Sequence, residues 1–298
     1  MWRRRGGSGA KENFSDGVSD AAAAAQPLTS RVCYFYAYYE KNDEYKENLD
    51  YFLKNAGIEC LCRPGSSLYI IINGKCTVDL TAAEEAGAKI IYRENKGYDF
   101  GAYQDVIAQD VNKYDYYFFM NSSVRGPYPA ELGVGCAWVK SFIDLFTSPF
   151  ALETKVKLAG VSINVLMSKP ATLFNGAGSP PYTHVQSQFF VLDAEGFEFL
   201  KNAGFFSDKL DNVDMKYMVV NKEIKMSHMI LANGWNINAY LSEYRNKDYR
   251  EIKKNINPSA ENPWPTCMTQ SNTHLYFGRD IKPEDAIFYK TNKSCIAL

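Results

Sequence analysis

Two short stretches hold residues whose types and spacing suit a phosphorylated ligand. In RENKGYDFGAYQDV, residues 93–106, Gly97 suits a tight turn with positive φ. Gly101 lets backbone or ligand come close at a helix start, where free N–H groups and the positive dipole end attract phosphate. Asn95 shares the turn, and Asp99 can accept from a ribose or sugar hydroxyl, or cap the helix that follows; the two roles do not exclude each other. Arg93 or Lys96 can meet a diphosphate, although a lone Lys in a turn is usually a solvated charge. In the second stretch, Asn121-Ser-Ser-Val-Arg-Gly-Pro127, Arg125 can pair with phosphate through two parallel bonds. Asn121 and the serines can equally satisfy backbone at a turn.

The elements around these stretches place both at one kind of position. Arg31–Tyr38, Leu68–Asn73, Lys89–Arg93 and Tyr114–Met120 are β-branched and aromatic runs that read as strands. Helical spacing follows over Asn42–Ala56, with Tyr45, Leu49, Phe52 and Leu53 inward and Gly57 as its stop. A short helix is expected over Leu80–Ala86, and another from about Gly101 to Asp110. Strands alternating with helices imply a mostly parallel sheet, which binds ligands at the carboxyl ends of its strands. Both stretches follow strands at that edge. Further on, Leu158–Leu166 and His184–Asp193 read as strands. Asn221–Asn233 reads as a helix ending at Gly234, and Trp235–Tyr240 as a returning strand. The expected fold class is α/β: a mostly parallel central sheet flanked by helices, with an irregular C-terminal extension.

Bulk properties exclude several classes. The 298 residues carry a formal net charge of −1, so no nucleic-acid partner is implied. No run of about 18 apolar residues encodes a membrane span. Residues 1–30 read as a disordered leader with a short Ala run too weak for a signal segment, and residues 31–298 as one domain whose Pro-rich tail wraps it. The seven Cys include C-x-C at Cys60 and Cys62 rather than a C-x-x-C site; Cys33 and Cys136 read as buried thiols. The compartment stays open between cytoplasmic and Golgi-associated. The 21 Tyr and 18 Phe suit sugar or base stacking and equally an ordinary packed core. The first strand is not followed by G-x-G-x-x-G, which disfavours a dinucleotide oxidoreductase.

Taken together, NKGYDFGAYQDV, KYDYYFFMNSSVRGPYP, HVQSQFFVLD, NKEIKMSHMILANGWNI and YFGRDIKPEDAIFYKTN resemble the rhamnan-synthesis F-type glycosyltransferases. The likeness is greatest to a eukaryotic branch whose fourth-strand loop also reads Asn-Ser-Ser-Val-Arg-Gly-Pro, and it runs from about Arg31 to Asn292. The resemblance implies a GT-A-like fold. It implies transfer of a sugar, rhamnose in bacterial members, from a nucleotide-sugar donor to a glycan or polysaccharide acceptor. The alternative is a non-catalytic carbohydrate- or nucleotide-sugar-binding relative.

What the resemblance implies for single residues is as follows. Arg93, Asn95, Gly97, Asp99, Gly101, Asn121, Ser123 and Arg125 form the donor side. The fourth-strand loop is where this fold commonly holds Mg²⁺ or Mn²⁺ on an Asp-x-Asp, hard oxygen ligands for a hard cation. Asn121-Ser122-Ser123 has no carboxylate, so no metal ligand is assigned, Mg²⁺ or Mn²⁺ stays open as a cofactor, and Arg125 is the candidate to supply the charge instead. Glu223 stands where large inverting GT-A families have the acceptor base, at the start of a helix, with Lys222 in place of a neighbouring acid. A Glu in a first helical turn is also simply favourable to the dipole. His184, Gln186 and Ser187 lie on the strand expected to face the acceptor; a lone His is more often structural. Trp138 and Trp235 could stack on a sugar, with buried packing as the default.

Overall fold

The computed structural model describes residues 28–109, 113–167, 180–256 and 282–291. The expected leader up to residue 27, the Gly- and Pro-rich loop over 168–179 and the tail over 257–281 and 292–298 lie outside them. The first half alternates as expected: β1 (Val32–Tyr38), α1 (Asp43–Asn55), α2 (Ile58–Leu61), β2 (Ser67–Asn73), α3 (Thr81–Glu85), β3 (Lys89–Arg93), α4 (Tyr98–Ile107), β4 (Tyr116–Asn121) and β5 (Val124–Arg125). The second half holds α5 (Ala137–Thr147), α6 (Pro149–Thr154), β6 (Val156–Gly160), β7 (Ile163–Leu166), β8 (Tyr182–Val185), β9 (Phe189–Asp193) and α7 (Ala194–Asn202). Then α8 (Met215–Met218), a π-helical segment (Val219–Ile224) and α9 (Lys225–Ala232) follow without a break, before β10 (Asn236–Ala239), α10 (Pro283–Ala286) and β11 (Tyr289–Lys290).

Seven strands form one sheet in the order β10-β6-β9-β4-β1-β2-β3. Within it β9 alone runs against its neighbours β4 and β6; the other pairs are parallel. A mostly parallel, helix-flanked sheet is the expected class. Strands covered on both faces need continuous apolar sequence, and all seven residues of β1 are buried. On one face Tyr69, Phe35, Phe119 and Phe190 stack in a row across four strands, with centroid steps of 5.6, 4.8 and 4.5 Å. Phe100 and Tyr103 of α4 close over this row. On the other face Trp138 and Phe142 of α5 meet Phe118 and Phe189. These aromatics are core, not a binding surface.

Two expected strands are each divided. Leu158–Leu166 breaks after Gly160 and His184–Asp193 breaks over Gln186–Gln188, so that β7 and β8 leave the main sheet and pair with each other. A Cβ on Gly160 would sit 2.4 Å from the Val185 side chain and 2.9 Å from the Phe189 carbonyl. The departing corner of one strand therefore passes directly over the other, and only glycine leaves room. Cys136 is not a thiol as expected but is disulfide-bonded to Cys60, with a Cα separation of 6.1 Å; Cys33 is a buried thiol.

The described part of the tail completes the core. β11 pairs antiparallel with β5, and Ala286, Ile287, Phe288 and Tyr289 are buried. The Phe288 ring lies 4.5 Å from that of Phe189 and 5.1 Å from Trp138. Replacing a fully packed Phe by Ala typically costs about 3–5 kcal/mol. Phe288→Ala is therefore expected to lower stability by about that amount in urea unfolding, although it lies far along the chain from the sheet it supports.

Candidate active site

The donor-side stretch is built more tightly than its glycines suggest. α4 begins at Tyr98 rather than near Gly101, and its cap Gly97 and first residue Tyr98 both have positive φ, 68° and 54°. A Cβ on Gly97 would lie 2.6 Å from that of Leu210, and one on Gly101 2.3 Å from the Lys96 carbonyl. Gly101 thus lets the helix lie against its own lead-in turn. Arg93 organises that turn from within. Its Nε meets Asp105 at 2.6 Å, one amino group donates to the Lys96 carbonyl at 3.0 Å, and the other donates to Asn73. Asn95 and Lys96 are exposed, and Lys96 pairs with Glu94.

Asp99 is not the helix cap. It sits in the first turn, where Oδ1 accepts from the Phe100 N–H at 3.0 Å and Oδ2 accepts from Asn121 Nδ2 at 2.8 Å. Asn121 Oδ1 in turn accepts from the Ser123 N–H at 3.0 Å and from its hydroxyl at 2.6 Å. Asp99, Asn121 and Ser123 therefore meet. Arg125 does not join them. It is buried on the α1 side, donating to Asn48 Oδ1 at 2.8 Å and to Glu47 at 2.9 Å. Side chains alternate along a strand, and the pairing of β5 with β11 turns Arg125 from the loop.

The opposite wall comes from the second half. The helix with Glu223 starts at Met215, capped by Asp214, so Glu223 is not in a first turn but inside the π-helical segment. Its Oε2 accepts from the Ser187 N–H at 2.8 Å and hydroxyl at 2.6 Å. Its Oε1 lies 3.6 Å from His184 Nε2. His184 Nδ1 is 2.9 Å from the Tyr182 carbonyl, which can only accept, so the proton is on Nδ1. Nε2 is then the acceptor, facing Asn164 Nδ2 at 3.2 Å. Burial holds the imidazole below its ordinary pKa, against the opposing pull of Glu223. Gln186 accepts from Ser162 and is committed to the fold.

One turn joins the two walls. Ser187 holds Glu223, and the next residue, Gln188, accepts from the Asn121 N–H through its carbonyl at 3.2 Å. Burial, with Glu223's charge added to it, pushes the Asp99 carboxyl up despite its hydrogen bonds. Gln188 was not singled out from the sequence; its side chain is buried and its amide nitrogen has no partner. The available signal is a lone amide at the amino end of the apolar run FFVLD. Trp138 is fully buried with Nε1 donating to the Ala56 carbonyl at 3.0 Å, and Trp235 packs on Phe199; neither is placed to stack on a ligand here.

Of Asp99, Asn121 and Ser123, Asp99 alone is a carboxylate, a donor set poor in the anionic oxygens that Mg²⁺ or Mn²⁺ prefers. Asn121 Oδ1 and both Asp99 oxygens already accept protein N–H or O–H groups. Among the described residues, moreover, no three His, Cys, Asp or Glu are grouped to hold a metal. Nor, among the described residues, is any helix long and apolar enough to cross a membrane.

No protein-family model matches the chain, and no curated protein matches it. Among solved structures it is similar to a mannosyltransferase from Pyrobaculum calidifontis in complex with GDP-Man and Mn²⁺, at 10% identity and TM-score 0.41 over 70% of this chain. The match spans about half, 54%, of that protein. It is similar to a CMP:2-keto-3-deoxy-manno-octonic acid synthetase complexed with CTP, at 12% identity and TM-score 0.37 over 70% of this chain and 88% of that one. A third likeness is to glucosyl-3-phosphoglycerate synthase from Mycobacterium tuberculosis, at 15% identity and TM-score 0.32 over 57% and 59% of the two chains. These are likenesses of fold at low identity and assign no residue a role.

The buried imidazole gives a signed expectation. His184 has a folded pKa below its unfolded value, so in the window beneath the unfolded pKa of about 6.5 the unfolded chain binds more protons. Stability from this group is present above that window and is lost as pH falls through it. Urea midpoints measured from pH 7.5 to 5 should fall, and His184→Gln should flatten the fall.

Proposed function

We propose that this chain is a GT-A-like glycosyltransferase related to the rhamnan-synthesis F type. It would move rhamnose or another hexose from a nucleotide-sugar donor to a glycan acceptor, with inversion. The observation that carries the reading is the junction of Asp99, Asn121 and Glu223 at the carboxyl edge of the sheet, through the turn Ser187–Gln188. Ligands of open α/β sheets sit at that edge.

In this reading the turn Asn95–Gly97, the start of α4 and the Asn121–Ser123 loop take the donor. Asp99 meets a hydroxyl of the transferred sugar. Glu223 is the base. Its Oε2 is fixed by Ser187, which leaves Oε1 to accept the proton of the attacking hydroxyl. A carboxylate gripped on one oxygen keeps its direction, which is what proton transfer at hydrogen-bond distance requires. His184 and Gln186 act from behind: His184 bounds the side of Glu223, and Gln186 shapes the turn. Compartment, cytoplasmic or Golgi-associated, belongs to the same proposal.

A second reading is favoured by one feature. Both guanidinium groups near the loops, Arg93 and Arg125, are committed to protein acceptors, so neither faces a leaving diphosphate. A relative that binds a nucleotide sugar or carbohydrate without transfer needs no such charge.

A thermal-shift panel of nucleotide-activated hexoses and deoxyhexoses tests both. A true donor at 100 times its Kd adds about 2.7 kcal/mol of stability. Turnover of that donor should then fall by about 10²–10⁴-fold in Glu223→Gln while the thermal shift persists. Equal turnover in the variant removes Glu223 as the base. Donor binding with no nucleotide release by the wild type, whatever acceptor is offered, selects the binding-protein reading.

A further inference from the structure

Lys222 is fully buried, and its ammonium reaches three partners, one on α4 and two in the loop after α7. It lies 3.0 Å from the Asp208 carboxylate and 3.0 Å from Gln104 Oε1 on α4, and it donates to the Phe205 carbonyl. The Phe205 ring sits 4.6 Å from it. A buried ion pair is weak evidence of stabilisation, because an apolar side chain of similar shape often serves as well. The meaning of the contacts lies in what they hold. Gln104 is on the helix that carries Asp99, about one and a half turns further on, and it also donates to the Asp208 carbonyl at 2.9 Å. Lys222 itself belongs to the π-helical segment. The residue after it, Glu223, meets a different set of partners, Ser187 and His184. Wide turns of this kind recur at functional sites, but this one contains no Gly or Pro to impose it.

We propose that Lys222 is a positioning residue: its clamp on Gln104 and Asp208 fixes the π-helical turn against α4 and so aims the Glu223 carboxylate at Ser187, His184 and the Asp99 wall. The consequence for catalysis rests on the function proposed above. The aiming itself can be seen without a substrate.

The chain has three histidines, so imidazole NMR signals of the isotope-labelled full chain can be assigned with single His→Gln variants. The titratable groups facing His184 are Glu223 from the π-helical segment and His228 from α9. Glu223→Gln removes the charge that favours the protonated imidazole, so the His184 midpoint should fall. Lys222→Met then separates two effects by sign. Loss of a nearby cation alone would raise the His184 midpoint; departure of Glu223 lowers it. The proposal expects a folded K222M protein whose His184 midpoint falls by about half a pH unit, following E223Q. A midpoint that is unchanged or raised in K222M overturns the proposal. So does an E223Q protein with an unmoved midpoint, since Glu223 is then not beside His184. Should K222M fail to fold, Gln104→Met removes both the α4 acceptor of Lys222 and the Gln104 bond to Asp208, leaves the cation in place, and is read by the same fall in the His184 midpoint. Turnover is measured separately with the nucleotide sugar that stabilises the wild type. K222M should lose kcat about 10-fold or more with donor-induced stabilisation kept, and unaltered kcat beside a lowered His184 midpoint overturns only the role of Glu223.

Discussion

The candidate site depends on the turn over Gln186–Gln188, where one strand leaves the main sheet. Ser187 gives both of its donors to Glu223, and the Gln188 carbonyl takes the Asn121 N–H. A three-residue corner thus sets the distance between a loop of the first half and a helix of the second. Three features hold that corner. The aromatic row behind it fixes β4 against β9. Gly160 makes space for the corner to cross. Ser227 accepts from the Val185 N–H at 3.0 Å, which ties α9 to the departing strand. Rigid packing of this density transmits small displacements, so the geometry of Glu223 is a property of the whole second half.

Polar side chains are concentrated where the small sheet meets α9. Ser162, Asn164, Thr183, His184, Gln186, Gln188 and Ser227 are all buried, unlike the apolar faces of the main sheet. Burying polar groups is tolerated when they are paired and costly when they are not. Most are paired here, while the Thr183 hydroxyl and the Gln188 amide nitrogen are not. Similar buried hydroxyls without a partner occur in the first half, at Tyr36 and Tyr103, so such groups do not by themselves single out this region.

Much of this was legible in the sequence for simple reasons. β1 is apolar on both faces, β3 is a short run built on two isoleucines, and α1 has helical spacing, so their limits fall within a residue or two of those expected. The order of strands and helices placed both loops at the carboxyl edge, and the convergence of Asp99, Asn121 and Ser123 followed. The misread features have tertiary causes. Tyr98 adopts a positive φ that bulky residues rarely take, so nothing in the sequence marks α4 as starting there. The run from Asn221 reads as plain helix because it holds no Gly or Pro before Gly234, so nothing in it marks the wider turn over Val219–Ile224. The runs Leu158–Leu166 and His184–Asp193 keep an apolar character through their corners, so pattern alone joins what the fold divides. Arg125 illustrates a last limit: its type suits phosphate, but the pairing of β5 with the distant β11 decides which way it points.

The central claim is that Asp99 and Glu223, on helices from opposite halves of the chain, lie within electrostatic reach of one another. Carbon NMR titration of the Asp99 carboxyl in the wild type and in Glu223→Gln measures this directly. With the opposing charge removed, the Asp99 midpoint should move down toward the ordinary carboxylate range, since only burial then holds it up. A midpoint identical in the two proteins would mean that the two carboxylates are not neighbours, and the assembled site would not exist.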